Sequence, residues 1–319
     1  MNYGKTEVSR KLRRISSKTE KLTSRMIFLF VKLILVAVLL MAAFAASLGY
    51  GALKGIIDSA PEIDVASIEP SGYATMVYDR EGNLTETLVK SGANRLEATY
   101  EELPQCLIDA FVAIEDSRFW SHKGIDIRSI LRAAVGVITG ESAGGGSTLT
   151  QQLIKNNIFE GGNENTFGEK LERKIQEQYL AVQLEKIMDK KIILKNYLNT
   201  INLGNNTLGV KAAALRYFNK DVSDLTLSEA TVIAGITQAP TRYNPLTENG
   251  RKNNEEKRRV ILQYMYEQGL IDKEAQEEAL ADDVYSRITN VNLAAQENES
   301  PYTYFTDELI TQVMEALQE

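Results

Sequence analysis

Two adjacent carboxylates, Glu115 and Asp116, stand where an apolar helical pattern ends. The apolar residues before them share the spacing i, i+3, i+4, i+7 and are Leu107, Ala110, Phe111 and Ile114. This spacing predicts a helix with one buried face. Glu115 follows directly after that face, so its carboxylate is expected to be half removed from water, which suits a general base. Taken alone, such a dipeptide is more commonly a solvated pair near a helix end.

A glycine-rich stretch, residues 144–146, precedes Ser147 and Thr148. Thr148 and Gln151 have the spacing of a capping box, which predicts that a helix begins here. The N–H groups and partial positive charge of a helix N-terminus attract anions. Side chains at i, i+4 spacing continue one polar face: Gln151 with Lys155, and Gln152 with Asn156. The stretch indicates a phosphate or diphosphate site; the alternative is a flexible surface loop followed by an ordinary polar helix face.

A long amphipathic helix is predicted over residues 170–186. Its expected apolar stripe consists of Leu171, Ile175, Tyr179 and Val182, and its charged stripe of Lys170, Arg173, Lys174 and Glu177. In isolation, Arg173 and Glu177 form an i, i+4 ion pair that contributes about 0.3 kcal/mol. The functional interpretation makes Glu177 a second carboxylate beside a row of cations. Another helix is predicted over residues 190–204, where Tyr197 is expected to pack.

The N-terminal region has the character of a membrane anchor. Residues 1–25 carry a net charge of +6, so the rest of this chain, with a total of −7, carries −13. We predict a disordered basic tail there, followed by an uncleaved signal-anchor helix over residues 26–50, because this apolar run exceeds the roughly 20 residues that cross a bilayer. The positive-inside rule places the tail in the cytoplasm and residues 54–319 outside. An acidic body argues against nucleic acid as a partner.

The composition also excludes several kinds of site. One cysteine, Cys106, excludes an intrachain disulfide and a thiolate metal cluster. One histidine, His122, excludes a metal site built from several histidines.

In chain order, these stretches resemble the peptidoglycan glycosyltransferase domain of class A penicillin-binding proteins and of monofunctional peptidoglycan polymerases. The family motif Glu-Asp-x-x-Phe-x-x-His-x-Gly corresponds to residues 115–124, and Gly-x-Ser-Thr-x-Thr-Gln-Gln-x-x-Lys-Asn to residues 145–156. Arg-Lys-x-x-Glu corresponds to residues 173–177, and Lys-x-x-Ile-Leu-x-x-Tyr-Leu-Asn to residues 190–199. The resemblance covers about residues 70–285, and its second motif is highly specific.

The resemblance implies a mainly α-helical, lysozyme-like fold with two lobes. It implies a reaction that joins the disaccharide of lipid II to a growing glycan chain and releases undecaprenyl diphosphate. The anomeric centre inverts, because an α-linked donor becomes a β-1,4 glycoside. By motif position, Glu115 is the base on the acceptor 4-hydroxyl, and Glu177 is a second essential carboxylate that orients the donor or a diphosphate-bound metal.

The other residues that the resemblance assigns to substrate binding are Asp116, Phe119, Ser147, Thr148, Gln151, Gln152, Lys155, Asn156, Lys170, Arg173, Lys174, Tyr197 and Asn199. No cofactor is required by the sequence; a divalent cation, Mg or Mn, is expected at most at the diphosphate, near Asp116 or Glu177. The expected partners are lipid II, the growing glycan, the lipid bilayer, and proteins of cell-wall elongation or division.

The expected organisation follows from these assignments. It comprises the basic tail (1–25), the anchor helix (26–50), a linker with a β-hairpin (51–95), the glycosyltransferase domain (96–285) and a linker towards a transpeptidase domain (286–319). The motifs Ser-x-x-Lys and Lys-Thr-Gly do not occur. Residues 301–305 resemble the segment that enters the penicillin-binding half, which favours a truncated bifunctional protein over a monofunctional polymerase.

Two other functions compete with this interpretation. A lysozyme-like lytic enzyme would cleave glycan with Glu115 as its acid, but it needs no diphosphate site, so residues 144–156 argue against it. A non-catalytic scaffold of the cell-wall machinery would be marked by loss of Glu115 or Glu177, and both are present.

Overall fold

The structure, a computed structural model, describes residues 4–70, 72–81, 84–88, 94–140, 145–162, 164–291 and 304–317. The described residues are mainly helical, as predicted. The helices are α1 (Lys5–Asp58), α2 (Val65–Ile68), α3 (Gln105–Glu115), α4 (Ile127–Thr139), α5 (Leu149–Asn157), α6 (Phe167–Ile187), α7 (Lys190–Thr200), α8 (Val210–Phe218), α9 (Leu227–Ile236), α10 (Glu248–Glu267), α11 (Lys273–Ala281) and α12 (Tyr304–Ala316). Two 3₁₀ turns, Val222–Asp224 and Val284–Arg287, flank α9 to α11. The chain divides into two compact units, residues 1–60 and residues 61–319.

The first unit consists of one long helix. Among the described residues, one helical segment, Leu22–Asp58, is long and apolar enough to cross a membrane, which supports the predicted single-pass anchor. The prediction of a disordered tail over residues 1–25 is wrong for most of that segment, because α1 already begins at Lys5. Its Lys, Arg, Glu and Leu residues are good helix formers, so the helix continues from the apolar span into the basic segment.

The few strands lie in the second unit. Strands β1 (Thr75–Tyr78) and β2 (Leu84–Leu88) pair antiparallel, which confirms the predicted hairpin, while its turn residues 82 and 83 lie outside the described residues. Two short strands that were not predicted, β3 (Asn94–Arg95) and β4 (Thr207–Leu208), pair in parallel.

The core of the second unit forms around α3 and α9. In α3 the predicted stripe is buried at Leu107, Ala110 and Phe111, with Ile114 partly exposed, and each large side chain there contributes about 1.5–3 kcal/mol by leaving water. Helix α9 is buried at every position from 228 to 236, and α3 packs against both α9 and α10. The end of α3, which carries the carboxylate pair, is therefore fixed by packing on two sides.

Helix α6 turns a different face inward from the one predicted. Leu171 and Tyr179, assigned to the apolar stripe, are 50% and 36% exposed. The buried face instead consists of Gln176, Glu177, Leu180, Ala181 and Leu184. The prediction failed because two polar residues lie on the inner face, towards α5, where Glu177 has cationic partners that satisfy its charge.

Gly124 fixes the loop after α3 against α6. Its φ is +87°, a left-handed conformation that favours glycine. A Cβ atom at this position would lie 2.5 Å from the carbonyl carbon and oxygen of Ala181. Glycine is therefore required twice, for its backbone conformation and for the close approach to α6.

We expect Gly124→Ala to lower the free energy of unfolding by about 2 kcal/mol or more, from left-handed strain of about 1–2 kcal/mol and from the overlap with α6. Thermal unfolding of the chain in detergent measures this loss. Gly140→Ala is the matched control, because Gly140 also has positive φ, at +75°, but open space around its Cβ position. Equal losses in the two variants would contradict the role of the close approach.

Candidate functional site

The candidate active site is an open cavity of about 780 Å³ between the end of α3, the start of α5 and the first half of α6. Eleven of the predicted site residues line it: Glu115, Asp116, Ser147, Thr148, Gln151, Gln152, Lys155, Asn156, Arg173, Lys174 and Glu177. The first three motifs contribute these eleven residues, and the fourth motif contributes none.

Glu115, the last residue of α3, reaches the cavity with both carboxylate oxygens hydrogen-bonded. Gln152 Nε2 donates to Oε2 at 2.9 Å, and Thr237 Oγ1 donates to Oε1 at 3.0 Å. An ionised carboxylate has about four acceptor positions, and these contacts use two of them. Glu115 can therefore still accept a hydrogen bond from a hydroxyl group and then its proton. The two contacts fix its orientation and leave it able to act as a base.

Asp116 has a different environment from its neighbour. It is 7% exposed and directly follows the last residue of α3 as its C-cap. Its Oδ2 accepts a hydrogen bond from the backbone N–H of Leu149 at 3.0 Å and lies 2.8 Å from His122 Nε2. Asp116 therefore connects the end of α3 to the first residue of α5.

The start of α5 has the predicted capping box, in which Thr148 and Gln151 exchange hydrogen bonds. The Thr148 hydroxyl also donates to the carbonyl of Gly124 at 2.7 Å. The helix N-terminus is thereby held by the first motif from two sides and presents its partial positive charge at the cavity. Gly144, the first residue of the glycine run, lies outside the described residues.

Cations gather on the α6 wall around a buried carboxylate. The Glu177 side chain is 1% exposed; Arg173 pairs with its Oε1, and Lys174 Nζ lies 2.9 Å from its Oε2. Lys174 also donates to the Ser147 hydroxyl at 2.6 Å. Both oxygens of Glu177 are thus used by cations, so this carboxylate positions them rather than acting as a base.

Arg173 has a second carboxylate partner from outside the predicted site. Glu164 Oε1, in the segment before α6, lies 2.7 Å from Arg173 Nε. Burial lowers the pKa of Arg173, but the pairs with Glu164 and Glu177 outweigh burial and raise the pKa overall. The guanidinium is therefore a permanent cation that holds two internal anions.

Four residues predicted to contact substrate do not line the cavity. Lys170 is exposed on α6, whereas Phe119, Tyr197 and Asn199 are fully buried. The Tyr197 hydroxyl donates to Gln152 Oε1 at 3.3 Å, and burial together with Glu115 and Asp116 raises its pKa well above the ordinary value. Asn199 holds both backbone groups of Ala98, at 2.9 and 2.8 Å. Side chains without exposed surface cannot reach a ligand in the cavity, so we assign these three residues a structural role instead of direct substrate contact. Tyr197 has this role through Gln152, which lines the cavity.

The sequence did not point to several residues of the wall. Helix α4, which was not predicted, contributes Ser129 and Arg132, and its N-cap Asp126 also lines the cavity. Burial opposes ionisation of Asp126, but hydrogen bonds from Arg118 and Ser129 lower its pKa to about 2. The sequence signal for α4 was present in this N-cap and in the apolar spacing of its exposed residues, Ile127, Leu131 and Val135.

Thr237, directly after α9, donates to Glu115, and the next residue, Gln238, lines the cavity. Lys257 of α10 donates to Gln238 Oε1 at 2.9 Å. Burial lowers the pKa of Lys257, and the nearby charge of Glu115 opposes this shift. Local periodicity does not identify Thr237, because its contact with Glu115 spans 122 positions of the chain.

The described residues contain no group of three or more His, Cys, Asp or Glu that could hold a metal ion. Glu177 has both oxygens paired with cations, and Asp116 Oδ2 is shared by Leu149 and His122. Neither carboxylate is assigned as a metal ligand on this geometry.

The comparisons with known proteins agree with the motifs. A protein-family model described as Transglycosylase matches residues 81–266. Penicillin-binding protein 1A of Clostridium perfringens (strain 13 / Type A) is 38% identical over 300 residues, covering 91% of this chain and 43% of that protein. Penicillin-binding protein 1A of Aquifex aeolicus is 43% identical over 208 residues, covering 65% of this chain and 27% of that protein. The chain therefore spans less than half the length of these relatives.

A crystal structure of penicillin-binding protein 1A from Haemophilus influenzae aligns at 24% identity, covering 78% of this chain and 25% of that chain, with a TM-score of 0.38. The family-model match extends over more than half of the chain and includes all four motifs and most of the cavity wall. The predicted family is confirmed, and the chain belongs to the transglycosylase family of peptidoglycan glycosyltransferases.

Proposed function

We propose that this chain polymerises lipid II into β-1,4-linked glycan strands with inversion at the anomeric carbon and release of undecaprenyl diphosphate. The observation that carries the proposal is the division of one cavity between a carboxylate with acceptor capacity, Glu115, and a cationic wall, Arg173 and Lys174, beside a helix N-terminus. Such a division suits a reaction in which a hydroxyl attacks while an anionic group leaves.

In this mechanism, Glu115 accepts the proton of the acceptor 4-hydroxyl as that oxygen forms a bond to the anomeric carbon of the donor. The bond from the anomeric carbon to the diphosphate oxygen breaks, and the diphosphate leaves with the electron pair. Arg173, Lys174 and Lys155 stabilise the charge that develops there, an electrostatic contribution that is often the largest single one in catalysis. Ser147, Gln151 and Gln152 donate or relay hydrogen bonds to diphosphate and sugar.

The location and partners of the enzyme follow from the same proposal. The positive-inside rule places the basic start of α1 in the cytoplasm and the catalytic unit outside, where lipid II presents its disaccharide. Mg or Mn is proposed only as a companion of the diphosphate oxygens, since the protein carboxylates have other partners. Proteins of cell-wall elongation or division are proposed as partners because they act on the same growing glycan.

Polymerisation of labelled lipid II in detergent by residues 1–319 tests the function. We expect long glycan from the wild-type chain and a loss of about 100-fold or more in Glu115→Gln, since a general base contributes about 10²–10⁴. Glu101→Gln, which alters an exposed carboxylate before α3, is the control. Cleavage of finished glycan without polymer would establish the lytic alternative, and polymer from Glu115→Gln would remove Glu115 from its role.

The pair between Glu164 and Arg173 predicts a change in anion affinity. Removal of the Glu164 charge leaves the guanidinium more available to a phosphate, so Glu164→Gln is expected to bind inorganic diphosphate about two- to fivefold more tightly. Isothermal titration measures this affinity. Glu172→Gln removes the same charge from an exposed neighbour of Arg173 and is expected to have little effect. If Glu164→Gln and Glu172→Gln raise the diphosphate affinity equally, the cause is the change in overall charge. A specific exchange of Glu164 for diphosphate at Arg173 would then be excluded.

A further inference from the structure

We propose that Lys190 is a positioning residue that fixes the tautomer of His122 and, through Asp116, the N-terminus of α5. Its effect on the reaction rests on the proposed function, whereas the tautomer itself does not. Lys190 was predicted only as the first residue of the fourth motif, and it does not line the cavity.

The residues involved form a buried polar chain behind the cavity wall. Lys190 Nζ lies 3.3 Å from His122 Nδ1 and 2.7 Å from Glu185 Oε1. On the other side of the ring, His122 Nε2 lies 2.8 Å from Asp116 Oδ2. The side chains of His122, Asp116 and Glu185 are 7%, 3% and 4% exposed, so water contributes little to their hydrogen bonding.

The partners determine which ring nitrogen carries the proton. A carboxylate only accepts hydrogen bonds, and Asp116 Oδ2 also accepts from the Leu149 N–H, so His122 Nε2 must be the donor. An ammonium group only donates, so the nitrogen that faces Lys190 must accept. Both conditions are met together by neutral imidazole with its proton on Nε2.

Glu185 is the other charged group near this ring, with Oε1 at 3.8 Å from His122 Nδ1. That oxygen is already used by Lys190 and by the Thr150 hydroxyl, which donates at 2.5 Å. Burial lowers the pKa of Lys190, while its contact with Glu185 acts in the opposite direction and favours the ammonium form. The Lys190 ammonium also lies 4.3 Å from the centre of the Phe119 ring. Lys190 thus lies between the Glu185 carboxylate and the His122 imidazole.

The tautomer has a direct consequence for α5. With the proton on Nδ1, the lone pair of Nε2 would face the lone pairs of Asp116 Oδ2 at 2.8 Å. This repulsion would displace the oxygen that holds the Leu149 N–H, and with it the helix that carries Gln152 and the contact to Glu115. Lys190 therefore acts on the site through three intermediate residues without contact to substrate.

Nitrogen-15 NMR of the full chain in detergent tests the proposal, because His122 is the one histidine of the sequence and every labelled imidazole signal belongs to it. We expect a protonated Nε2 and an unprotonated Nδ1 in the wild type at neutral pH. Lys190→Met is expected to lose this single tautomer, and Lys190→Arg, which remains a donor, to keep it. Lys191→Met removes the same charge from the next, exposed residue and is expected to leave the spectrum unchanged.

A proton on Nδ1 in the wild type, or an unchanged Nε2 tautomer in a folded Lys190→Met, would overturn the proposal. If Lys190→Met does not fold, the wild-type and Lys190→Arg spectra still decide it. In the polymerisation assay we expect Lys190→Met to lose about 10- to 100-fold in rate, as for small misplacements of catalytic groups. If the wild-type chain shows the expected tautomer but makes no polymer, the proposed function is refuted and this inference stands.

Discussion

The contact between the Asp116 carboxylate and the backbone N–H of Leu149 is the constraint on which the site depends. It joins the end of α3, fixed by packing against α9 and α10, to the first residue of α5. Because Glu115 directly precedes Asp116, and Gln152 lies one turn into α5, the same contact brings the base to its amide partner. The first two motifs are therefore one structural unit, joined by a contact between residues 33 positions apart in the sequence.

The second determinant of the site is a charge balance on α6. Glu177 is nearly completely buried, and an isolated carboxylate in that position would be expensive. Arg173 and Lys174 offset this cost and in return are held at the cavity with defined orientations. A buried anion thus organises the cations that the proposed diphosphate would use.

Local signals predicted the elements that carry the site. The capping box at Thr148 marks the start of α5, because a capping box is a property of four consecutive residues. The hairpin and the membrane-spanning helix also followed from local patterns. Long-range features were not accessible: the inner face of α6 was misassigned because Glu177 is stabilised by partners that periodicity cannot see. Motif position did not distinguish Phe119, which packs in the interior, from Gln152, which lines the cavity.

The most direct test of the division between base and anion site is equilibrium binding of labelled lipid II, without turnover, to Glu115→Gln and Arg173→Gln. A base acts on bound substrate, so Glu115→Gln is expected to bind within about twofold of the wild type. Arg173→Gln removes charge-assisted hydrogen bonds of about 1.5–3 kcal/mol and is expected to bind at least tenfold more weakly. Equal losses of binding in the two variants would contradict the separate roles of the two walls.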